Sequence, residues 1–190
     1  GHSNVAVGSG SLRDSTTGVN NVAIGANALL GLSDTSHNVA IGSQAGSSCT
    51  AGENVFIGWD AANKATSANN NTIVGSNAGS TGTNDLTTGD KNTMIGDEAT
   101  FSAGSAQNQI VIGYTATGVA DNTAKIGNSN ITDVYMGDNG NTWSQTSDGR
   151  LKENVKEWDK GLDEINKLRV VEFNFKKDNT FEYNVDKKRQ

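Results

Sequence analysis

Proline is absent from the 190 residues, cysteine occurs once, and aromatic residues make up only 6%. Each shortage excludes something. A lone Cys49 cannot form an intrachain disulfide. Hydrophobic residues reach 34%, less than a compact globule of this length usually carries, so one thick core is not expected. Basic residues are outnumbered, 15 against 21 acidic, and the net charge of −6 argues against a nucleic-acid partner, which needs a basic face. No apolar run approaches the ~18 residues of a membrane span, so no membrane insertion is expected. No secretory signal stands at Gly1. His2 and His37 have no Cys or His partners at metal spacing. Asp85, Asp90 and Asp97 follow no calcium-loop frame, and there is no phosphate-binding Gly-Lys-Ser/Thr loop. No metal and no cofactor are expected.

What is present is regular. Charged residues make up 19% and there are 23 glycines, with β-branched residues recurring at intervals, which is not the composition of a disordered chain. The segment Asn21-Val22-Ala23-Ile24-Gly25 returns as Asn38-Val39-Ala40-Ile41-Gly42, as Asn54-Val55-Phe56-Ile57-Gly58 and as Asn71-Thr72-Ile73-Val74-Gly75. Looser copies end at Gly113, Gly127 and Gly137. Three residues after most of these glycines stands an alanine, as at Ala28, Ala45 and Ala61. Each unit reads as a short strand, a glycine turn, a second short segment and a polar loop. Val22 and Ile24 share one face of their strand and Ala23 takes the other. Both faces are apolar, so one is expected to line the interior of a coil and the other to pack on a neighbour. One unit cannot bury its own apolar face, but a stack can. The reading is therefore a mainly β protein: a parallel β-solenoid, or β-roll, of about nine short repeats. At about 4.8 Å per rung the shaft would be roughly 40 Å long, with the asparagines bonded from rung to rung as a ladder.

The Asn-x-x-x-Gly-x-x-Ala frame over about residues 4–127 resembles the head repeats of trimeric autotransporter adhesins, and similar repeats in phage and algal-virus fibres. The resemblance implies a left-handed roll and a homotrimer. Lys125 stands where a small or apolar residue is usual in that pattern, so the regular roll is expected to end or change winding near Asn122.

A composition break follows. Residues 1–146 hold 4 basic and 11 acidic residues, whereas residues 147–190 hold 11 and 10. Leu151, Val155, Trp158, Leu162 and Ile165 recur at helical spacing, with Gly161 interrupting. Val171, Phe173 and Phe175 alternate as a strand. The organisation expected is a repeat shaft over residues 1–121, an irregular β end over 122–146, and a small α+β module over 147–190. The run Ser147-Asp148-Gly149-Arg150-Leu151-Lys152-Glu153-Asn154 resembles the opening of the intramolecular chaperone of endosialidase-type tailspikes and tail fibres, a family also classed as self-cleaving serine peptidases. The resemblance implies that the module trimerises, guides fibre folding and is then cut away. Ser147 would be the nucleophile, Lys152 its base, and Ser147–Asp148 the bond cut. Gly149, Arg150, Leu151 and Asn154 would support the motif. A lysine whose pKa is lowered by desolvation can activate a serine hydroxyl. Residue types alone favour a surface turn at Ser147 and a solvated Lys152; the resemblance favours the dyad. The module would be a truncated chaperone, since family members continue further.

The leading reading is thus a virion fibre or tail-fibre segment, assembled in the host cytoplasm and self-associating as a homotrimer. Other virion proteins and a host-surface glycan or protein receptor are its further expected partners. No catalysis beyond self-cleavage is expected. The alternatives are a bacterial trimeric adhesin head and, with less support, a polysaccharide depolymerase. Trp59, Phe101, Tyr114 and Trp143 fall in or beside the shaft, and packing under loops or between chains is the favoured role for them over a carbohydrate platform. Cys49 is expected to be a buried or loop thiol.

Overall fold

A computed structural model describes residues 1–132. Eight three-residue strands run in chain order: β1 Val5–Val7, β2 Val22–Ile24, β3 Val39–Ile41, β4 Val55–Ile57, β5 Thr72–Val74, β6 Thr93–Ile95, β7 Ile110–Ile112 and β8 Ala124–Ile126. They form one sheet in the order β1 to β8, and every neighbouring pair is parallel. Register follows the repeat: Ala23 lies beside Ala40, and Phe56 beside Ile73. Each coil contributes one strand, so the eight described coils rise by about 34 Å at the usual strand spacing. The ninth unit and the 147–190 module lie outside the described residues.

Of the two apolar strand faces, the central residue is the one that points inward. Ala23, Ala40, Phe56, Ile73, Met94 and Val111 are all fully buried. Across the narrow interior, the alanines after the glycine turns, such as Ala28, Ala45 and Ala61, are equally buried. The interior is filled by compensation between its two sides. Where the strands give alanine (Ala23, Ala40), buried Leu29 and Leu32 fill the space. Where β4 gives Phe56, the position equivalent to Leu29 is Gly46, and a Cβ there would meet the Phe56 ring. Cys49 occupies the frame position of Leu32 and Ala65 and is a core residue like them.

The asparagine before each of β2 to β6 is buried and bonds from coil to coil. Its Oδ1 accepts the backbone N–H of the next coil's asparagine, as from Asn38 to Asn21, Asn54 to Asn38, Asn71 to Asn54 and Asn92 to Asn71, at 2.9–3.0 Å. The Nδ2 of Asn54, Asn71 and Asn92 donates to a carbonyl at the end of its own coil, Ala68 at 2.8 Å, Gly89 at 2.9 Å and Ala106 at 2.7 Å, whereas that of Asn38 turns to Asn21 Oδ1 and the Ser36 carbonyl. One amide therefore closes its own turn and pins the next. At Gln109 the extra methylene redirects the amide to Ser102 Oγ, 2.5 Å away, and the side-chain ladder stops there. Backbone pairing continues to β8, where Lys125 sits beside Val111 and is only half-buried.

The glycine that ends each strand has a φ that residues with a Cβ resist. Gly58 stands at +136°, and a Cβ there would collide with the carbonyl of Gly75 in the next coil. Gly58→Ala is expected to destabilise the chain by about 3 kcal/mol or more, from strain and collision together. Asn54→Ala leaves the Asn71 N–H and the Ala68 carbonyl buried without partners and should cost roughly 2–5 kcal/mol. Urea unfolding followed by circular dichroism checks both, against Glu53→Ala on the exposed surface, which should shift the midpoint little.

Candidate functional site

Two outward columns flank the inward strand residues. The first begins Val5, Val22, Val39; the second begins Val7, Ile24, Ile41. Neither column contains a charged residue in any of the eight strands. Val7 is 56% exposed, Ile95 45% and Ile24 37%. Single exposed apolar residues mean little, but these are contiguous in register over the whole sheet. The neighbour that this face was expected to pack on is therefore not another part of the described residues.

Apart from Lys125 at the centre of β8, the charged groups of the described residues stand on turns and loops. Lys64 Nζ lies 2.5 Å from Asp85 Oδ2, and this hydrogen bond raises the Lys64 pKa. Asp85 also accepts the Gly82 N–H at 2.6 Å, folding back the extra residues that lengthen this coil. Asp90 Oδ1 accepts the Asn69 N–H at 2.7 Å. These acids are structural acceptors, a role that residue spacing did not reveal. Hydrogen bonds from the Thr16 and Thr17 hydroxyls hold Asp34 below its usual carboxylate range. Among the described residues no group of three His, Cys, Asp or Glu is placed to hold a metal ion. No described helix is long and apolar enough to cross a membrane.

The aromatic residues divide. Phe101 is fully buried, as packing requires. Trp59 and Tyr114 are 51% and 62% exposed, so loops of the described residues do not cover them, and packing between chains is left open. Both directly follow a frame glycine, where the chain leaves the strand and the interior has no room to claim a ring. Trp143 lies outside the described residues.

Burial pushes the Cys49 thiol up to about 11. It donates to the Ala51 carbonyl at 3.4 Å and carries no nucleophilic chemistry. The motif residues Ser147, Asp148, Gly149, Arg150, Leu151, Lys152 and Asn154 all lie outside the described residues.

Residues 147–190 match the Peptidase S74 family, the chaperone of endosialidase. No curated protein and no solved structure matches the chain.

The buried thiol gives a direct check. Cys49 should not react with a disulfide reagent at pH 8 in the native chain and should react at once in denaturant. Because folding raises its pKa, the native state keeps a proton that the unfolded chain releases. Stability should therefore fall as pH rises from about 9 towards 11, and Cys49→Ala should remove that dependence.

Proposed function

We propose that this chain is a virion fibre segment: a rigid β-roll shaft whose copies associate as a trimer through the outward strand face, aligned during folding by residues 147–190. The single observation that carries the reading is the joining of a regular solenoid, with a continuous uncharged and mostly apolar outward face, to a segment that matches the chaperone of endosialidase. A phage-associated protein is what that family suggests.

Physical reasoning supports the pairing of these two parts. Coils of near-equal length make register ambiguous, because three identical shafts one coil out of step keep most of their contacts. A distinct end that assembles first removes the ambiguity. Each coil then needs only its neighbour, so ordering proceeds along the shaft from the aligned end. Cutting the module off afterwards would leave a shaft that cannot retrace its folding path, and its stability would be kinetic. In this reading the Ser147 hydroxyl, its proton taken by Lys152, adds to the carbonyl carbon of a Ser147–Asp148 bond; the C–N bond breaks, the Asp148 nitrogen leaves as an amine with the proton returned by Lys152, and water hydrolyses the ester formed. The shaft side carries any contact with a host surface.

Two outcomes are expected. In sedimentation velocity the full chain should run as a trimer, and Ile41→Asp with Ile95→Asp should reduce it to monomer, because each change buries an unpaired charge in the seam. A double variant that stays trimeric would show that another surface holds the copies together. In intact mass spectrometry the freshly made chain should give two fragments meeting at Ser147, and both Ser147→Ala and Lys152→Ala should give one mass near 19.8 kDa. An uncut wild-type chain would make the module a retained cap.

A further inference from the structure

Trp59 and Tyr114 belong to one column. Each follows the frame glycine of its coil, and the two intervening coils place Ser76 and Asp97 at the same position. Backbone bonds stack the column: Asn77 N–H donates to the Trp59 carbonyl at 2.8 Å, Glu98 to Ser76 at 2.9 Å and Thr115 to Asp97 at 2.9 Å. The two exposed aromatic residues are thus three rungs apart, about 14 Å along the shaft. Between them stand a half-buried hydroxyl and an exposed carboxylate.

Neither folding nor chain pairing accounts for this arrangement. The interior does not use the rings, which are exposed while every inward strand residue from β2 to β7 is buried. A seam between copies stacked along a common axis would meet every coil alike, as the Val and Ile columns do. This column does not repeat: the first three coils carry Ser9, Ala26 and Ser43 there. Closing such a seam would also strip water from Asp97.

We propose that Trp59, Asp97 and Tyr114, with Ser76, form a stacking subsite for an uncharged glycan running along the shaft. An aromatic ring presents a flat apolar face beside polar neighbours. The CH face of a sugar stacks on such a ring, while its hydroxyls meet the Ser76 hydroxyl and the Asp97 carboxylate. The separation of the rings matches a short run of sugar units rather than one. The carboxylate at the centre and the net charge of −6 disfavour anionic sugars. This inference deepens the fibre reading by giving it an attachment chemistry, and its test is chosen to fail separately from that reading.

The experiment is binding of the full chain to an array of immobilised uncharged tetrasaccharides of glucose, galactose, mannose and N-acetylglucosamine, α- and β-linked, with sedimentation velocity run in parallel. At least one tetrasaccharide should retain the wild type. Trp59→Ala and Tyr114→Ala should each weaken that binding at least about tenfold, and Trp59→Phe should keep most of it. The oligomer mass should be the same in every variant. Failure of the wild type to bind any tetrasaccharide, or equal binding by Trp59→Ala, would overturn the subsite. Loss of oligomer mass in Trp59→Ala would also overturn it, making the ring a chain contact and leaving the fibre reading intact.

Discussion

The stack from β2 to β6 depends on one side-chain amide per coil. Backbone bonds join neighbouring coils along strands and turns, but the buried end of the coil is tied to the strand by a side chain. The buried asparagine does this by bonding in two directions, to the end of its own coil and to the backbone of the next. Alanine offers neither bond, and aspartate offers only acceptors. Its burial also keeps water out of the competition, which strengthens the bonds and makes losing one costly. The absence of proline has the same origin. Backbone N–H groups are used from coil to coil, from Val22 to Asn38, from Leu29 to Ala45 and from Gly42 to Ile24, and a proline at such a place would break the stack.

From that constraint the rest follows in order. Stacking at one rung per unit places the frame glycines directly over one another, so close that a side chain at any from Gly8 to Gly96 meets the backbone of the next coil. The narrow interior that results admits one large side chain where the opposite position is small, as with Phe56 and Gly46. The same stacking aligns the outward residues into columns. A repeat that serves folding inside the coil therefore produces a long uniform surface outside it. Uniformity suits self-association and, equally, leaves register undetermined, which gives residues 147–190 their place in the proposal.

Much of this was legible in the residues. The Asn-x-x-x-Gly frame set strand position, register and the amide ladder, because its period leaves few other ways to bury Ala23 or Ile73. What was not legible depended on neighbours across the coil. Whether the Val22–Ile24 face or the Ala23 face pointed inward could not be read from one strand, since both are apolar. The exchange of volume between Phe56 and Gly46 is invisible without knowing that they meet. Asp85 and Asp90 looked like scattered acids because their partners, Lys64 and the Asn69 N–H, lie one coil away. For Trp59 and Tyr114 residue type favours packing under loops or between chains, and the turn after the glycine carries both to the surface, which leaves the second of these open. In the C-terminal segment the motif itself, Ser147 to Asn154, was the signal, and the family match at 147–190 agrees with it. The placement of Ser147 relative to Lys152 lies outside the described residues.

The central claim is that residues 147–190 set the register of a shaft that cannot set its own. The direct measurement is refolding from denaturant of two chains, one full length with Ser147→Ala so that residues 147–190 stay attached and one ending at residue 146, each with Ser67→Cys in a Cys49→Ala background, followed by site-specific cross-linking between copies. The account predicts that the full chain refolds to one species linked only between equivalent coils, and that the shorter chain refolds slowly into a mixture linked between coils one or more units apart. Equal rates and a single in-register product from both chains would contradict it.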